Sequence, residues 1–112
     1  KTNYTFSRNI SEHLTEITKL KYDPIYNSIF SASFDNRVNK NFLSINSNNS
    51  SDLLNKGITL YGHEKWVWDL DIIENKNGER LLITADENGN LLSWYINMDD
   101  LIEKIQTQMQ KN

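Results

Sequence analysis

The sequence contains no cysteine, which excludes disulfide bonds and thiolate chemistry. No apolar run approaches the roughly 20 residues that a membrane-spanning helix needs, so membrane insertion is not expected. Basic residues are in the minority, because 12 Lys and Arg stand against 15 Asp and Glu and give a net charge of -3. Without a positive field to attract phosphate backbones, nucleic acid is not an expected ligand. With no export signal in view, the cytoplasm is the default location.

Metal and cofactor motifs are also scarce. Only two histidines occur, His13 and His63, and they lie 50 positions apart, whereas a zinc site needs about three or four clustered ligands. Each of the four glycines stands alone at a turn or a strand end, so no glycine-rich phosphate loop is present. We therefore expect no metal and no cofactor.

What the sequence does contain is an internal repeat. Residues 13–22 align with residues 63–72, since each segment has a histidine, an aliphatic residue four positions later, a leucine three after that and an apolar residue two further on. Residues 31–38 likewise align with residues 84–91. A chain of 112 residues is one domain or part of one, so the repeat indicates two stacked copies of one structural unit.

The local pattern within each repeat is typical of β-strands rather than helices. Five short segments are rich in β-branched and aromatic residues and are bounded by Gly, Asn or Asp. The sequence therefore predicts an all-β fold. The five segments are Ser28–Ser33, Gly57–Gly62, Trp66–Ile73, Arg80–Ala85 and Leu91–Ile96.

The first strand of each repeat predicts a β-bulge. Its apolar residues are spaced by three and then by two, whereas an uninterrupted strand keeps a spacing of two. One extra residue therefore falls at Thr18-Lys19 in the first repeat and at Trp68-Asp69 in the second. The side chains predicted to be buried are Ile17, Leu20, Tyr22, Val67, Leu70 and Ile72.

These features resemble the WD-repeat family of β-propellers. Residues 13–45 resemble a degenerate repeat, with Asn41 where the family has a strand-ending Trp. The second half resembles one complete repeat, and the residues that carry this resemblance are Gly62-His63, Val67, residues 82–85, Asn88-Gly89 and residues 91–94.

The resemblance implies propeller blades, each a four-stranded antiparallel sheet. Residues 1–10 are then the outer strand of a preceding blade, residues 11–62 a degenerate blade and residues 63–96 a complete blade. Residues 97–112 change period and predict a short amphipathic C-terminal helix and tail, which either docks on the propeller or serves as a handle for a partner.

The family's internal hydrogen-bond network maps onto both repeats. In the second repeat the resemblance assigns it to four side chains, and Asn88 replaces the usual aspartate, so charge assistance to the histidine is lost. The first repeat lacks the Trp, so its network cannot close and packing should hold that blade. The residues are His63, Thr84, Asn88 and Trp94 in the second repeat, and His13, Ser31 and Asp35 in the first.

A hydrolase triad is the alternative interpretation of the first repeat, with His13, Asp35 and either Ser31 or Ser33. Such a triad needs an exposed nucleophile beside an oriented base and an oxyanion site, whereas a blade uses the same residue types internally for structure. We favour the structural interpretation, so we predict no catalytic residue and no enzyme activity.

The expected function is protein–protein interaction or scaffolding, on the propeller face where family members bind partners. Trp66 and Trp68 flank the buried Val67, so both should point away from its side of the strand, although Trp68 could equally pack against the neighbouring blade. An enzyme or a small-molecule or glycan-binding propeller is the alternative. The contact residues that the resemblance implies are Glu16, Thr18, Phe34, Trp66, Trp68 and Glu87.

Two blades alone would leave uncovered edges. A propeller closes with about four to eight blades, and a repeat unit does not bury its faces by itself. We therefore expect further blades, supplied by upstream sequence or by other copies of the chain.

Overall fold

The computed structural model describes residues 3–43 and 57–96, which form two antiparallel sheets and, within those ranges, no helix. The all-β prediction is confirmed. The predicted C-terminal helix at 97–112 lies outside the described residues. The first sheet has the order β1-β2-β3-β4, and the second sheet has the order β5-β6-β7. The strands are β1 Ile17–Asp23, β2 Ser28–Ser33, β3 Val38–Phe42, β4 Ile58–Leu60, β5 Val67–Glu74, β6 Arg80–Asp86 and β7 Leu91–Tyr95.

The two sheets repeat one pairing register. In the first sheet Leu20 lies opposite Ser31, and in the second sheet Leu70 lies opposite Thr84. The register shifts by one residue at Thr18 in β1 and again at Trp68 in β5. The predicted bulges are therefore confirmed, and each one turns a side chain out of the regular alternation of its strand.

The segments that precede His13 and His63 differ in structure. The predicted strand at Gly57–Gly62 is present as β4, which pairs with β3 and completes the first sheet. By contrast, residues 3–10 form no strand and are exposed, contrary to the prediction of an outer strand there. A strand needs a neighbour that offers backbone donors and acceptors, and no described strand pairs with residues 3–10.

One hydrophobic core lies between the two sheets. Alternation along the strands gives each sheet an inner face toward this core and an outer face away from it. The inner face of the first sheet carries Phe30, Ala32 and Val38, and that of the second carries Val67, Leu70, Leu82 and Ile96, all of them buried. The outer face of the first sheet carries Ile17, Leu20, Tyr22 and Ile29, and that of the second carries Ile73, Leu91 and Tyr95.

The prediction of buried apolar residues is right for the second sheet and wrong for the first. Val67 and Leu70 are buried in β5, and Ile72 packs against the core. Their counterparts Leu20 and Tyr22, like Ile17, are about half exposed. The reason is that the first sheet covers the inner face of the second, while no described sheet covers the outer face of the first.

Candidate functional site

A buried hydrogen-bond network joins the strands of the second sheet to the loop that enters it. His63 bonds through Nε2 to the Thr84 hydroxyl at 2.5 Å, and the indole N–H of Trp94 donates to the same hydroxyl oxygen at 2.9 Å. The His63 side chain is fully buried. The structure thus brings together three of the four residues assigned to this network from the sequence.

The fourth position belongs to Asp86 and not to Asn88, which corrects the prediction. Nδ1 of His63 lies 2.9 Å from the Asp86 carboxylate, whereas Asn88 contributes its backbone N–H to the other carboxylate oxygen, also at 2.9 Å. The hydrogen bond from His63 lowers the pKa of Asp86 to about 2. Asp86 ends β6 opposite Val67, two positions after Thr84, so it reaches the histidine before the chain turns away. The charge assistance expected to be missing is therefore retained.

The network in the first sheet is shorter, as the missing Trp requires. His13 bonds through Nδ1 to Asp35 at 2.9 Å and through Nε2 to Ser31 at 2.8 Å. Burial would raise the pKa of Asp35, but hydrogen bonds from the Leu14 amide and from His13 outweigh it and lower the pKa. Asn41 does not reach Ser31 as a Trp would, and its amide donates to the Ile10 carbonyl at 2.9 Å.

The Ser31–His13–Asp35 chain has the connectivity of a hydrolase triad. Its serine, however, is only 3% exposed, and the same connectivity recurs in the second sheet around Thr84, which is fully buried. A nucleophile must be reachable by its substrate. We therefore interpret both chains of hydrogen bonds as devices that fix the loop before each sheet to the turn after its second strand.

Three aromatic side chains form a cluster at the end of the sheets where β1 and β5 begin. We call this cluster of Phe34, Trp66 and Trp68 the aromatic rim. The Phe34 and Trp66 rings stack with centroids 4.4 Å apart, and Trp68 meets the edge of both, at 4.9 Å from Phe34 and 6.2 Å from Trp66. Trp66 is 44% exposed and Trp68 is 50% exposed. Trp68 thus combines both expected roles, since it packs against the neighbouring sheet and remains open to solvent.

Equivalent backbone contacts hold the aromatic rim in both sheets. The Phe34 amide donates to the Glu16 carbonyl at 3.0 Å, and in the same way the Glu87 amide donates to the Trp66 carbonyl at 2.9 Å. The two sheets are tied together here by the Thr18 hydroxyl, which donates to the Val67 carbonyl at 2.7 Å. The residues predicted from sequence to contact a partner therefore all lie at one end of the molecule: Glu16, Thr18, Phe34, Trp66, Trp68 and Glu87.

A buried charged cluster near the opposite end of the sheets had no counterpart in the sequence analysis. Arg80 of the second sheet forms an ion pair with Asp23 of the first at 2.5 Å, and Asp23 is fully buried. Lys40 is buried close by, with its ammonium over the rings of Tyr26 and Phe30. Burial lowers the pKa of Lys40 to about 8; the Arg80 charge also lowers it and the Asp23 charge partly restores it.

Metal-binding and membrane-spanning features are not found in the described ranges. Among residues 3–43 and 57–96, no three His, Cys, Asp or Glu side chains are grouped so that they could hold a metal ion. Nor does this part of the chain contain a helix long and apolar enough to cross a membrane.

No protein-family model matches the sequence, and no curated protein matches it either.

Proposed function

We propose that the chain forms two successive blades of a WD-repeat β-propeller and acts as a protein-interaction module. Three observations support the propeller assignment. The sheets share one register and one bulge position, they stack with a common core, and each follows a loop histidine that is bonded to a hydroxyl and a carboxylate. Only the second sheet adds the indole that completes the family's network.

The observation that carries the proposed function is the aromatic rim. Trp is among the residues most enriched at energetic hot spots of protein interfaces, and an anchor binds best when its rotamer is already fixed. Here Phe34 stacks on Trp66 and supports Trp68, so the two indoles are held in place while about half of each stays accessible. The rim is therefore organised before any partner arrives.

The charges beside the rim indicate the kind of partner. Glu16 and Glu87 are exposed at its margin, and a hydrogen bond from the Thr15 hydroxyl lowers the pKa of Glu16, so its carboxylate is ionised at neutral pH. Because opposite charges at an interface rim guide association, the complementary partner is a protein segment that presents an apolar anchor next to a basic residue.

A peptide library displayed on phage and selected on the wild-type chain tests this function. We expect selected peptides to combine aromatic or aliphatic residues with Lys or Arg, and to lose at least tenfold in affinity when Trp66 or Trp68 is replaced by alanine. Tyr61→Ala is the matched control, because Tyr61 is an exposed aromatic outside the rim, and it should leave the affinity unchanged.

Two results would count against the proposal. Peptides that bind the Trp66→Ala and Trp68→Ala variants as tightly as the wild type would place recognition elsewhere. A large loss of thermal stability in these variants would make the rim a structural feature, since an aromatic pair contributes only about 0.5–1.5 kcal/mol beyond its buried area. Binding of saccharides alone at the same rim would favour the glycan-binding alternative.

A further inference from the structure

Both outer faces of the two-sheet stack are apolar and open. On the first sheet Leu20 is 56% exposed and lines a groove of about 520 Å³ together with Phe6, Ile10, Ile17 and Ile29. On the second sheet Leu91 and Tyr95 are about three-quarters exposed. Soluble proteins that work as monomers rarely leave apolar patches on two opposite faces, so these surfaces indicate contacts that the single chain does not satisfy.

The repeat relates these outer faces to the faces that are already packed. Leu20 on the outer face of the first sheet occupies the position of Leu70 on the inner face of the second. Likewise Leu91 on the outer face of the second sheet corresponds to Val38 on the inner face of the first. The outer face of the first sheet is therefore complementary to the outer face of the second, as the two inner faces are to each other. Neither outer face is complementary to a second copy of itself.

The charges on β1 and β5 also favour packing of a first sheet against a second sheet. Lys19 and Lys21 of β1 pair with Asp69 and Asp71 of β5 at 3.8 and 3.0 Å. These four residues occupy equivalent positions, so the sign alternates from one sheet to the next. A further first sheet placed beyond the second would bring its own Lys19 and Lys21 toward Asp69 and Asp71, so these positions would again pair opposite charges.

A strand is also available to complete the second sheet. β7 pairs with β6 on one side, and no described strand pairs with its other edge. In the first sheet this place beside β3 is filled by β4, which ends three residues before His63. The equivalent residues 8–10 end three residues before His13, and they already lie against the outer face of the first sheet through the bond from Asn41 to Ile10.

We infer that copies of this chain bind one another head to tail. The outer face of the first sheet of one copy covers the outer face of the second sheet of the next, and residues 8–10 of the former pair with β7 of the latter. Transfer of the β3–β4 register places Ile10 opposite Leu91 of the neighbour. Closure at about four to eight sheets corresponds to rings of two to four copies.

Sedimentation velocity of the wild type and of two blocked variants tests the order of the contacts. Leu20→Glu blocks one outer face and Tyr95→Glu blocks the other, so each variant alone should be monomeric while the wild type associates. Mixed together, they should form a dimer that does not grow, because one intact face remains on each. Leu14→Glu is the control, since Leu14 is 75% exposed, as Tyr95 is, but lies in the loop before β1, and this variant should associate as the wild type does.

A cross-link tests the strand register independently. The chain has no cysteine, so an Ile10→Cys and Leu91→Cys double variant introduces the only thiols. Opposite residues of antiparallel strands have Cα atoms about 4.5–5.5 Å apart, within the span of a disulfide. Oxidation should give covalently linked copies on a denaturing, non-reducing gel, whereas either single variant should run as a monomer on the same gel.

A wild-type chain that remains monomeric at about 100 μM, well above the micromolar affinities at which weak specific contacts already form, would overturn the inference. A Leu20→Glu or Tyr95→Glu variant that dimerises with itself would overturn it as well, because its faces would then be self-complementary. The proposed partner binding does not depend on this inference. If association fails while peptides still bind the aromatic rim, only the head-to-tail contact is refuted.

Discussion

Replacing Asp23 with asparagine should destabilise the fold by about 3–5 kcal/mol, the usual cost of removing one partner from a buried ion pair. Asparagine has nearly the same shape, so packing is preserved and the effect is electrostatic. The substitution removes the carboxylate that forms the 2.5 Å ion pair with Arg80, at an interface where Lys40 is also buried. Small domains are stable by only about 5–15 kcal/mol, so this loss should be large on that scale.

Urea unfolding at pH 7, followed by tryptophan fluorescence, measures this cost. An Arg80→Met variant and the double variant complete a thermodynamic cycle, and we expect the double variant to be more stable than the sum of the two single losses predicts. Asp69→Asn is the matched control, since the Asp69 side chain is 63% exposed and its ion pair with Lys19 should contribute no more than about 1 kcal/mol. Equal losses for Asp23→Asn and Asp69→Asn would refute the assignment of a buried, coupled pair.

Three further predictions concern pH and packing. The free energy of unfolding should rise by up to about 3 kcal/mol between pH 8 and 10.5. The pKa of Lys40 is about 8 in the fold but has its usual higher value in the unfolded chain, so the unfolded chain binds one more proton in this pH range. Urea unfolding at several pH values should show this rise, and Lys40→Met should remove it. The free energy of unfolding should fall as the pH drops from about 4 through 2, where Asp86 becomes protonated in the fold, and Asp86→Asn should lack this pH dependence in acid titrations. Asn88→Ala is the control and should change the free energy of unfolding by less than about 0.5 kcal/mol. Gly62→Ala should lower thermal stability by about 1–3 kcal/mol, because its Cβ would lie 2.9 Å from the Trp94 ring.

Features that follow from local spacing were predictable from the sequence. The three-then-two spacing of apolar residues located both bulges, at Thr18 and at Trp68, because an extra residue reverses the faces of a strand. Turn residues on both sides of residues 58–60 located β4. Both buried networks were predictable because each repeat has a histidine before its first strand and a hydroxyl residue in its second strand, 18 residues later in the first repeat and 21 in the second.

Features that depend on contacts between distant parts of the chain could not be predicted from the sequence. The periodicity of β1 places Leu20 on an apolar face but does not say whether another sheet lies over that face. The choice of Asp86 over Asn88 depends on where β6 ends relative to His63, although the stronger attraction of a carboxylate for a histidine was an available signal. The pairing of Asp23 with Arg80 joins strands 57 residues apart, and neither residue carries a motif.

The most direct test of the account is which faces of the two sheets meet in solution, measured as nuclear Overhauser effects in methyl-labelled protein. We predict contacts from the Phe30 ring to the methyl groups of Leu70 and Leu82, and none from Leu20 to Leu82. Contacts from Leu20 to Leu82, with the Phe30 ring exposed instead, would contradict the packing of the inner face of the first sheet against the inner face of the second.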